Sequence, residues 1–114
     1  MPISPLRVLD TRTSVGALPG ANLANTARTL SLPLEIPQAA TAVSLNLTVT
    51  GTSGRGFLKV WPAGTLEPNV SNLNVNGGNE TVANASVVML PVSGSRQLEL
   101  LSNISTHTIF DLSG

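Results

Sequence analysis

The sequence contains no cysteine and no tyrosine, and only one tryptophan, two phenylalanines and one histidine. The lack of cysteine excludes a disulfide framework and any thiolate-held metal, and it leaves the redox compartment open. With His107 as the single histidine, hydrolytic triads and zinc sites lack parts. Charge is equally scarce. Asp, Glu, Lys and Arg make up 11% of the chain, against about 25% in ordinary soluble domains. Six basic and six acidic residues cancel. The basic ones are scattered, so no stripe could release counterions from a nucleic-acid backbone or hold an anionic membrane surface. No apolar run approaches the ~20 residues of a membrane-crossing helix. Glycine-rich phosphate loops that lead into a helix are absent too. The N-terminal MPISPLRV has no charged region followed by an apolar one. No signal peptide is read there, although a domain cut from a longer secreted protein would look the same.

What remains is 114 residues that are 41% hydrophobic but only 3% aromatic. That length suits one domain, residues 1–114, able to bury roughly two-thirds of its unfolded surface. Leu, Val and Ile must fill the core, while Ser, Thr, Asn and Gly cover the outside. High apolar content at zero net charge is not a disordered composition.

Alternation is the dominant period. In AVSLNLTVT (42–50), Val43, Leu45, Leu47 and Val49 point one way and Ser44, Asn46, Thr48 and Thr50 the other, the mark of a half-buried strand. TLSLPLEI (29–36) repeats the pattern, and Pro33, which cannot donate to a ladder, places it at a sheet edge. Further strands are expected at PLRVLD (5–10), GFLKVW (56–61), NVSNLNV (69–75), TVANASVVML (81–90), RQLELLS (96–102) and HTIFDLS (107–113). GTSGRG, PAGTLEP, NGGN and SGS separate them, and NGG and SGS offer the positive-φ residues of tight hairpins. GANLANTAR (20–28) reads as a loop, and no repeat of 20 to 50 residues is present. The expected fold is all-β, an antiparallel β-sandwich or jelly roll of about eight short strands.

Few residues could carry chemistry. LRVLDTR (6–12) gathers Arg7, Asp10 and Arg12, either as a polar grip for a ligand or as an ion pair that fixes the first strand. Asp10 and Asp111, near opposite ends of the chain, could meet in space, with a structural ion pair as the commoner outcome. HTIFD places His107, Ile109 and Asp111 on one strand face and Phe110 in the core; His107 reads as a surface or interface residue and is counted among the candidate ligand contacts. SNLNVNGGN (71–79) aligns Asn72, Asn74 and Asn76 on one face, where amides could read sugar hydroxyls, ladder across a subunit interface, or simply be solvated. In GFLKVW, Phe57, Lys59 and Trp61 share a face. Lys59 marks that face as outward, so Trp61 is expected to be exposed or at an interface, with Leu58 and Val60 in the core. The Asn-x-Ser/Thr triplets at Asn46, Asn69, Asn79, Asn84 and Asn103 arise readily by chance in so Asn-rich a chain and carry no weight.

Taken in order, RVLDTR (7–12), VSLNLTVT (43–50), GFLKVWPAG (56–64), VSNLNVNGG (70–78), TVAN (81–84) and STHTIFDLSG (105–114) span nearly the whole chain. On these motifs the chain resembles the RVLDTR-type β-domains found singly or in tandem in secreted and cell-surface proteins of actinobacteria. Those domains often accompany cell-wall or polysaccharide-processing enzymes, and typically end in D-hydrophobic-x-G-Tyr-Phe, whereas this chain stops at Gly114. The resemblance implies an extracytoplasmic β-domain at the cell surface or secreted, with no activity settled for the family as a class.

Two functions follow as expectations. The first is a carbohydrate-binding module or lectin for glycans or cell-wall polysaccharide, using Trp61, Lys59, Asn72, Asn74, Asn76 and His107, because aromatic faces stack on sugar rings while amides read hydroxyls. The alternative is a non-catalytic spacer or assembly domain. Neither needs a cofactor or metal, and no catalytic residue is assigned. So uncharged a surface suggests a homo-oligomer, with a trimer as the expected form and ligand sites between its protomers.

Overall fold

The computed structural model describes residues 5–114; MPIS, the start of the stretch searched for a signal peptide, lies outside the described residues. Eight strands follow in order: β1 (Leu6–Asp10), β2 (Arg28–Ser31), β3 (Ala42–Thr50), β4 (Gly56–Pro62), β5 (Leu73–Val75), β6 (Val82–Met89), β7 (Gln97–Ser102) and β8 (His107–Leu112). They form two four-stranded antiparallel sheets, ordered β1-β8-β3-β6 and β2-β7-β4-β5. Pairing first with last, second with seventh, third with sixth and fourth with fifth is a long hairpin wound into two layers, the jelly-roll form of a sandwich.

The alternation read in the sequence builds the core. Val43, Leu45, Leu47 and Val49 of β3 all turn inward, meeting Leu58 and Val60 of β4, Leu98 and Leu100 of β7, and Phe110 of β8, the largest fully buried side chain. β2 and β5 are shorter than the alternation suggests. Leu32 N–H still donates in register to the Arg96 carbonyl at 2.8 Å, the pairing ends at Pro33, and β2 lies at a sheet edge as expected. β1 carries an irregularity between Arg7 and Leu9 in its pairing with β8. This bulge lets Val8 and Leu9 both be buried, which strict alternation forbids.

The turn clusters are real, but they do not make tight hairpins. Among the described residues only β4 and β5 are both consecutive and paired, across a connection of ten residues; every other connection crosses between sheets. In NGGN the positive φ belongs to Asn79 (55°), whose N–H donates to the Thr52 carbonyl at 2.7 Å. A turn sequence reports that the chain reverses, not which sheet receives the next strand.

Candidate functional site

The residues singled out in the sequence fall on three separate regions of the sandwich. Phe57, Lys59 and Trp61 do share the outward face of the β2-β7-β4-β5 sheet, opposite the inward Leu58 and Val60. Trp61 is nevertheless only 7% exposed, which overturns the expectation of an exposed indole. Alternation told which side the ring points to, but not what returns to cover that side. The chain turns directly after Pro62, with Thr65 Oγ1 donating to the Pro62 carbonyl at 2.8 Å and Gly64 at a φ of 86°. The segment then comes back onto this face: Lys59 Nζ donates to Glu67 at 2.8 Å, and the lysine side chain is left 13% exposed. Lys59 also stands over the Phe57 ring, 5.3 Å from its centroid, a cation–π placement. The group thus has its own internal partners. Trp61 lies outside the main core cluster, so it is a second, smaller buried site on the outer layer.

The three amides do not act as a set. Asn72 lies just before β5, and its side chain continues the ladder where the strand stops. Its Oδ1 accepts the Val60 N–H at 2.8 Å, its Nδ2 donates to Ser86 at 3.1 Å on β6, and its carbonyl accepts from Asn84 Nδ2 at 3.0 Å. Asn72 therefore stitches the β5 edge of one sheet to the β6 edge of the other. Asn74 stays exposed on β5 opposite Phe57, with its Oδ1 accepting from Ser71 at 2.8 Å. Asn76 is exposed beyond the strand end. Among the three, only Asn74 and Asn76 keep amide groups turned to solvent.

His107 belongs to the other sheet. It opens β8, opposite Thr50, and its Nδ1 lies 2.9 Å from the Thr11 hydroxyl. The same hydroxyl accepts the Thr108 N–H at 2.9 Å, and buried Asn22 donates to Thr108 at 3.2 Å while accepting from Arg28 at 3.0 Å. This chain of polar contacts closes one end of the sandwich. Trp61 faces outward from the opposite sheet, so one protomer cannot bring His107 and Trp61 to the same ligand.

The charged cluster resolves in favour of structure. Arg7 donates to Asp111 at 3.0 and 3.4 Å, joining β1 to β8, and also reaches Asp10 at 3.5 Å. Arg12 clamps Asp10 with two bonds of 3.0 and 2.9 Å, and its own backbone N–H adds a third of 3.1 Å. The hydrogen-bonded Arg12 guanidinium holds the Asp10 carboxyl at about 2, well below its ordinary value, against the opposing effect of burial. Asp10 thus fixes the turn that ends β1, and Arg7 is the group through which Asp10 and Asp111 meet. Among the described residues no three His, Asp or Glu side chains gather as metal ligands would.

Nothing in the sequence signals the apolar groove of about 430 Å³ lined by Leu6, Pro33, Ile36, Ala42, Val43 and Leu112. It forms where the connection between β2 and β3, around residues 33–40, passes beside the end of β8, so only the tertiary arrangement creates it. No family model matches the chain, and no curated protein matches it. The sandwich fold and the local geometry are therefore what define its class, an eight-stranded antiparallel β-sandwich.

Proposed function

We propose that this sandwich is a non-catalytic structural module of the bacterial cell surface, serving as a spacer and assembly domain. One observation carries the reading: the side chains best suited to grip a ligand are engaged inside the protomer. Lys59 is held by Glu67, Asn72 by Val60 and Ser86, His107 by Thr11, Asp10 by Arg12, and Trp61 is covered. Releasing any of them to a ligand would break a contact that the fold uses. The location rests on the resemblance of the RVLDTR-to-HTIFDLSG series to secreted and surface domains. Glycan binding stays as a second reading, supported by the exposed Asn74 and Asn76 amides.

A glycan array probed with the folded domain tests the choice. Silence across the array, with an intact β spectrum, is the expected result. Saturable binding to a defined glycan would overturn it, and loss of that binding in Asn74→Ala would locate the site.

A further inference from the structure

We propose that two copies of this chain pair antiparallel along the free edge of β6, joining their sheets into one of eight strands. The inference rests on the assembly reading above and names its surface. A two-sheet sandwich has four edge strands, and here three of them are blunted. β1 is bulged after Arg7 and flanked by charge, β2 has four residues and is followed by Pro33, and β5 has three. These are the usual guards against edge-to-edge pairing. β6 has none of them. It runs for eight residues, VANASVVM, without charge or proline, and its ladder with β3 is unbroken from Val82–Val49 to Met89–Ala42.

The hydrogen-bond phase shows what that edge presents. Leu90 N–H donates to the Thr41 carbonyl at 2.8 Å, in line with the β3–β6 register. Bonded pairs alternate along an antiparallel ladder, so Val82, Asn84, Ser86 and Val88 bond to β3. Ser44 bonding to Ser113 and Gly114 on its other side agrees with this phase. The N–H and C=O groups of Ala83, Ala85, Val87 and Met89 therefore point to the open edge, and among the described residues none of them has a hydrogen-bond partner. Val87 is 71% and Met89 56% exposed, and both alanines are exposed.

A second copy fits this edge by symmetry. Centring the two-fold axis on Ser86 sets Ala83 against the partner's Met89 and Ala85 against the partner's Val87. All four open residues are then bonded, and each large side chain lies beside a small one. No charge is desolvated, because β6 has none. Two strands about 27 Å long meeting along an edge cover less than the ~1,200 Å² of stable interfaces, so the dimer is expected to be weak and concentration-dependent. A two-fold contact gives a dimer where composition alone suggested a trimer.

Sedimentation from about 10 µM to about 1 mM, the dissociation constants of a weak contact, tests the proposal with wild type and three variants. Wild type should pass from monomer to dimer. Ala85→Pro removes an N–H that β3 does not use, so it should keep the monomer's β spectrum and stay monomeric throughout. Should that variant misfold, Val87→Lys puts a charge on the same edge and should weaken dimerisation at least tenfold. Ser86→Cys, in a chain without other cysteine, should form an intermolecular disulfide on oxidation. Association unaffected by both edge variants would overturn the β6 pairing and leave the assembly reading standing. A wild type that stays monomeric to the top of the range would remove both.

Discussion

Replacing Trp61 by alanine separates a buried indole from a ligand platform. Tryptophan commonly buries about 150–250 Å², and at ~25 cal/mol per Å² this sets an upper limit of about 4–6 kcal/mol. Trp61, at 7% exposure, approaches that limit in area. Two features lower the figure. Alanine keeps the β-carbon, and the site lies outside the central cluster, where solvent can enter the space left behind. A loss of about 3 kcal/mol is expected, at the lower end of large-to-small aromatic changes. For a domain of this size that is a fall of roughly 10–15 °C in melting temperature. Urea and thermal melts followed by circular dichroism measure it without needing the lost fluorophore. In the wild type, emission should be blue-shifted and resist iodide, and should remain so on dilution, because the cover comes from the same chain. A variant within ~0.5 kcal/mol of wild type, the range of ordinary surface changes, would refute the burial argument. Red-shifted, quenchable emission from the native protein would refute it independently.

Three further outcomes follow from named contacts. The Asp10 carboxyl, held at about 2 when folded and near ~3.9 when unfolded, stabilises the fold fully above about pH 5 and loses that contribution as pH falls through ~4 towards 2. The stability difference between wild type and Asp10→Asn should shrink across that window, and a difference independent of pH would contradict the ion-pair geometry. Asn72→Ala strands the Val60 N–H and should cost about 1–3 kcal/mol in urea unfolding, with faster hydrogen exchange at Val60; unchanged exchange there would be contrary evidence. A side chain at Gly56 would overlap Asn103 Oδ1, which accepts the Phe57 N–H at 2.8 Å, and would crowd Ile104. Gly56→Val should therefore destabilise by about 1–3 kcal/mol, and a neutral result would show that this turn can shift.

The sequence by itself determined the strands and their sides. Alternation in Val43–Val49, and the pairing of inward Leu58 and Val60 with outward Lys59, are set by a backbone whose side chains alternate every two residues. Pro33 likewise marked an edge, because a missing N–H is a local property. Tertiary structure decided what lies over each face and which edge stays bare, since both depend on segments distant in the chain. Trp61 is buried although its strand face points outward, Lys59 is met by Glu67 after the turn at Pro62, and the answer to Asn72 came from Val60 and Ser86. The bulge that buries Val8 beside Leu9 depends on the distant β8, and Arg7 could meet both Asp10 and Asp111 only because the first and last strands pair. The open edge of β6 is the clearest case. Its composition is visible in the sequence, but that no strand among the described residues pairs with it follows only from the order in which eight strands were wound into two sheets.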